Sequence, residues 1–307
     1  MTLLFLLRLV FLLRPMNARS LAKREGAHDV LEPIRLTKKI VSPLCSTRWL
    51  RLVFCGFFFG GNVTQAEDVS AKLPVGEWKM VFRDEFDGPD KVWEKAWAFQ
   101  NGPSGHILCS RWRENAKVEK GILKLTAKKE RRAGQDWTAA SLWTKQKFQY
   151  GYFQCRYQYA KAKGTNNSFW LMTQGIARNQ PGSFEIDINE GHYPNRINMN
   201  IHNWSGEHWS KSKSQMVEKA NLADEFHIYG LEWNQRELIW YYDGKEIRRE
   251  PNTICHGTAP VWLSLAIVDW AGPVTDAIHG KSMNVDYVRV YQKATPASQR
   301  DDQSQTK

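Results

Sequence analysis

Glu185, Asp187 and Glu190 fall within seven residues, Phe184-Glu-Ile-Asp-Ile-Asn-Glu190, in a stretch whose apolar residues read as a β-strand. Side chains on a strand alternate faces, so Glu185 and Asp187 share one face while Ile186 and Ile188 take the other. Plain alternation sends Glu190 to the apolar side. One extra residue, a β-bulge around Ile188-Asn189, returns it to the face of the other two acids. Carboxylates this close repel and push protons onto one another, which folding alone does not ask for. Two carboxyl groups about 5–5.5 Å apart are the equipment for cleaving a glycosidic bond with retention, one as nucleophile and one as general acid/base. Glu185 (nucleophile) and Glu190 (acid/base) are the natural pair, with Asp187 assisting between them. An acidic edge strand that merely faces water is the bland alternative.

The acids need a neighbouring strand and a packed layer behind them. Residues 197–202 read as the partner strand, with Ile197, Met199 and Ile201 on one face and Asn198, Asn200 and His202 on the other. His202 is therefore a candidate to touch an acid or a sugar hydroxyl, and Asn200 a candidate to bind substrate. Strand-like runs recur at 78–82, 122–126, 150–159 and 239–242, and Asp243-Gly244 is a two-residue hairpin turn. Little of the chain reads as helix. The expectation is an all-β fold, two antiparallel sheets packed as a sandwich. Fourteen tryptophans are many for this length. Sugar rings present apolar C–H faces that stack on flat rings, so Trp170, Trp204 and Trp209 are candidate platforms, while Trp233 and Trp262 sit in apolar blocks and read as core.

Residues 1–66 read as a leader: apolar runs at 3–13 and 49–61, basic flanks, and small residues near Ala66. Cleavage after Ala66 implies export, to the periplasm or outside the cell, with no membrane attachment afterwards. The full chain carries a net charge of +11, but residues 67–307 hold 33 Lys/Arg against 29 Asp/Glu, a net +4. The basic balance is largely a leader effect and does not point to nucleic acid. Clusters at 128–132 and 211–213 read as solvated strand ends, with an anionic polysaccharide as the sharper alternative. Cys109, Cys155 and Cys255 match no metal spacing and read as structural. Residues 294–307 read as a disordered polar tail and 67–293 as one domain.

Seven blocks in order carry a resemblance to glycoside hydrolase family 16: residues 78–88, 118–127, 148–157, 167–171, 226–233, 238–245 and 283–291, with the acid motif in its expected place. The resemblance implies a concanavalin A-like jelly roll with an open cleft on its concave sheet. It also implies a monomeric endo-glycosidase acting on a β-linked polysaccharide, with no cofactor for catalysis. It places Trp112, Arg113 and Glu114 at the cleft rim, and a structural Ca²⁺ on the far side, with Glu85, Gly121 and Asp286 where ligands would come from. Substrates across the family include β-1,3- and mixed-linkage glucans, agar, porphyran and carrageenan. Residues 191–196 depart from the laminarinase pattern, which with the basic clusters leans the reading towards a galactan. A lectin-like sandwich without catalysis and a cell-wall transglycosylase are the alternatives.

Overall fold

The computed structural model describes residues 73–88 and 90–294. The leader read over 1–66, and all of the tail but Ala294, lie outside the described residues.

Two antiparallel sheets form the sandwich. The sheet carrying the acids has seven strands in the order Trp209–Met216, Arg196–Asn203, Phe184–His192, Thr165–Met172, Val261–Ile267, Ser141–Thr144 and Trp97–Phe99. The facing sheet has eight, with Gly151–Gln158 and Ser282–Lys293 at its centre and Trp78–Asp84 added beside the latter. A small third sheet joins Cys109–Arg111, Gln135–Ala139 and Lys128–Arg132.

Period-two patterning explains both layers. In Val261–Ile267 the residues Val261, Leu263 and Leu265 are fully buried, and Phe169, Leu171, Ile186, Met199 and Leu263 meet Phe153, Leu231, Trp233 and Val288 of the other sheet in one core. Each such side chain contributes roughly 1.5–3 kcal/mol on burial. The hairpin expected at Asp243-Gly244 forms: both residues have positive φ, 46° and 75°, which suits the right-handed twist of the strands it joins. Asp243 also accepts the backbone N–H of Ile228 at 2.8 Å, tying the turn to the next strand. Trp262 corrects the sequence reading. Its neighbours Val261 and Leu263 point inward, so the same alternation turns Trp262 to the opposite face, where it is half-buried.

Cys109, Cys155 and Cys255, the cysteines among the described residues, are buried and free. Burial pushes their thiols up, away from the reactive thiolate.

Candidate active site

The acid strand carries the irregularity that the spacing asks for. Against Thr165–Met172, Phe169 pairs with Asn189 and Trp170 with Asp187, so Ile188 has no partner of its own. Ile188 and Asn189 both point inward. Ile188 joins the core, and the Asn189 amide donates to the hydroxyls of Tyr157 and Tyr159 at 2.6 and 2.7 Å. Two consecutive inward residues restore Glu190 to the face of Glu185 and Asp187. Gly191 follows because Tyr159 lies against the backbone there: a Cβ would sit 2.2 Å from the tyrosine ring. Behind the strand, Trp240 of the other sheet donates its indole N–H to the Asp187 carbonyl at 2.9 Å and fixes its height.

The partner strand supplies polar groups in register, Glu185 opposite His202 and Asp187 opposite Asn200. Asn200 donates from one nitrogen to Asp187 Oδ2 at 2.9 Å and to Glu190 Oε2 at 2.7 Å. Its amide thus holds the acids and is not left free for sugar, a correction to its expected role. His202 Nε2 stands 3.3 Å from Asp187 Oδ2, and its Nδ1 lies 3.2 Å from His208 Nε2. Glu185, Asp187 and His202 offer atoms that all lie within 4.8 Å of one another, the one group among the described residues with a geometry that could hold a metal ion.

Burial dominates the electrostatics. It pushes the Glu185 carboxyl up to about 8, with the charge of Asp187 adding to the rise and His202 and the Trp204 N–H opposing it. Asp187 rises well above the carboxylate range through burial and the charge of Glu190. Glu190 is raised by burial as well, and Asn166, His202 and Asn200 hold it back. Desolvation thus comes first for all three acids, and like charge adds to it at Glu185 and Asp187.

Trp204 donates its indole N–H to Glu185 Oε2 at 2.8 Å. Its ring stacks with His208, centroids 3.9 Å apart, and Arg178 Cζ lies 4.0 Å from the ring centroid. It acts on Glu185 through its N–H, and its ring is not a bare platform. Trp170, paired with Asp187, faces the acids and stacks on Trp262, centroids 4.7 Å apart, and Trp262 meets Trp143 in a tilted contact at 4.5 Å. Three half-buried tryptophans therefore run across adjacent strands away from Asp187. Alternation from Trp170 could have found this row had the strand order been known.

Other candidates fall elsewhere. Trp209 pairs with Asn203, one residue out of phase with His202, so it points to the reverse face and lines a small cavity with Ile201, Leu238 and Pro251. Arg113 is held by Glu94 and the rings of Trp93 and Phe99, and Phe99 lies on the far edge strand, four strands and about 19 Å from the acid strand. Trp112 is capped by Arg132, its Cζ 3.5 Å from the ring centroid, and Glu114 pairs with the same arginine. None of the three joins the acids. Glu85 makes a two-pronged ion pair with Arg289, both contacts 2.8 Å, and Asp286 pairs with Arg156 at 2.5 Å. Each of these two carboxylates, named with Gly121 as calcium ligands by the family resemblance, therefore faces a guanidinium. Asn166, which sequence reasoning passed over, donates to Glu190 Oε1 at 2.6 Å.

An all-β sandwich with clustered carboxyl groups and tryptophans on one open sheet face is the architecture of a polysaccharide-active protein. The model of glycosyl hydrolases family 16 matches residues 106–289, and the chain belongs to that family. It is 33% identical over 186 residues to the endo-1,3-1,4-β-glycanase EglC of Rhizobium meliloti, covering 57% of this chain and 39% of that one. It is 28% identical over 254 residues to a β-glucanase of Rhodothermus marinus, 73% of this chain and 88% of the relative. Among solved structures, the endo-1,3-β-glucanase (laminarinase) catalytic domain of Thermotoga petrophila superposes with a TM-score of 0.64 at 26% identity, over 72% of this chain and all of that domain. The chain thus spans well under half of EglC but nearly all of the β-glucanase.

Proposed function

We propose that the protein is an exported endo-β-glucanase that hydrolyses β-1,3- or mixed β-1,3-1,4-glucan with retention. The bulged strand carries the proposal: it brings three acids to one face, between the Asn200 amide on one neighbouring strand and Asn166 and the tryptophan row on the other side. Relatives named β-glucanase and laminarinase support the glucan over the galactan that the sequence favoured. The basic and apolar leader supports export.

Glu185, once ionised, attacks the anomeric carbon while Glu190 gives its proton to the leaving oxygen; water, activated by Glu190 as base, then releases the sugar. The Trp204 N–H and His202 favour the Glu185 anion, and Asp187 keeps its position through Asn200 and Trp240. Trp170, paired with Asp187, offers an apolar surface beside the acids.

The test is reducing-end release from laminarin, lichenan, agarose, porphyran and carrageenans, with the product anomer read by NMR. Release from laminarin or lichenan with the β-anomer first is expected. Release from a galactan alone would overturn the glucan assignment. Binding without release would make the protein a lectin, and redistribution of chain lengths without new ends a transglycosylase.

A further inference from the structure

The two amides on Glu190 are not equivalent. Asn200 is fixed, because its nitrogen serves Asp187 and Glu190 together at 2.9 and 2.7 Å. Asn166 has a single engagement at its amide, the 2.6 Å bond from Nδ2 to Glu190 Oε1. Its Oδ1 is buried with no hydrogen-bond partner, and the residue is 4% exposed. A buried amide oxygen without a donor is unusual and asks for a reason. Turning the amide by half a rotation exchanges O and N with almost no change in shape. The turned side chain presents an acceptor to Glu190 and leaves the nitrogen where the unpartnered oxygen was.

Retaining hydrolysis requires Glu190 in two states, protonated as the acid of the first step and ionised as the base of the second. A fixed donor at 2.6 Å favours only the ionised form, and a fixed acceptor only the protonated one. We propose that Asn166 is a positioning residue that follows the proton on Glu190, turning its nitrogen to the carboxylate and its oxygen to the carboxylic acid. The proton itself passes only between Glu190, the leaving oxygen and water. The inference rests on Glu190 as the acid/base. It also accounts for an asparagine at this buried position, where an aspartate or leucine would serve one state or neither.

The experiment uses the full chain carrying Asn166→Asp, Asn166→Leu or Glu190→Ala, with an aryl β-oligoglucoside as substrate. Burst kinetics separate the two steps, and thermal melts check folding. Azide rescue of Glu190→Ala, giving a β-glycosyl azide, establishes the acid/base role; without rescue the underlying reading falls, and this inference with it. Asn166→Leu loses the donor, so the alkaline limb of kcat/KM is expected to move up by about one pH unit. Asn166→Asp, nearly the same shape, holds Glu190 protonated, so the second step should slow at least tenfold more than the first and glycosyl-enzyme should accumulate. With azide rescue intact, equal slowing of both steps in Asn166→Asp, or an alkaline limb unmoved in a folded Asn166→Leu, would show a merely structural role and overturn the inference.

Discussion

Replacing Glu185 by glutamine should abolish turnover and, at neutral and alkaline pH, make the protein more stable. Burial lifts the Glu185 carboxyl from 4.5 to about 8 in the folded chain. A group whose pKa is higher folded than unfolded favours the folded state fully below its unfolded pKa, and that advantage is lost as pH rises through the folded value. Wild-type stability should therefore decline between about pH 4.5 and pH 8. One pKa unit corresponds to about 1.4 kcal/mol, so at pH 7 the decline approaches roughly 3 kcal/mol, an upper figure because the three acids share protons. Glutamine never ionises, and its oxygen still accepts the Trp204 N–H, so Glu185→Gln escapes the decline. For a domain of this size the gain at pH 7 is worth roughly 6–10 °C in Tm, shrinking to near zero at pH 4. Loss of the nucleophile costs on the order of 10³-fold or more in kcat. The assay is thermal or urea unfolding of both proteins at pH 4, 7 and 8.5, beside laminarin hydrolysis. A stability difference independent of pH, or a mutant less stable at pH 8.5, would refute the desolvation argument; near-normal turnover would refute the role of Glu185.

Trp204→Phe removes the donor that favours the Glu185 anion, so the acidic limb of kcat/KM should shift to higher pH, with about a tenfold loss at pH 7; a pH–rate profile reads this directly. Trp170→Ala should raise KM for laminarin about tenfold, the scale of one lost ring contact, while Trp209→Ala on the reverse face leaves KM unchanged; steady-state kinetics on both variants separate the two faces. Gly191→Ala drives a methyl into the Tyr159 ring and should destabilise by more than about 2 kcal/mol, measured by urea unfolding.

Alternation and turn chemistry are local, so the sequence by itself specified the sandwich, the hairpin at Asp243-Gly244, the shared face of Glu185 and Asp187, and the polar face of Asn198, Asn200 and His202. Even the bulge was legible, because three acids at that spacing make sense on one face only with an extra residue. Tertiary structure decided what depends on strand order and depth. Trp209 and Trp204 look alike in sequence, but one residue of phase sends Trp209 behind the sheet, while Trp204 bonds Glu185. Trp262 looked like core until the strand beside Trp170 was known, and Asn166 gained meaning only when that strand lay against Glu190. The raised pKa of Glu185 likewise belongs to the fold: a lone carboxyl in water ionises near 4.5, and only the surrounding layers withdraw the water that favours the anion.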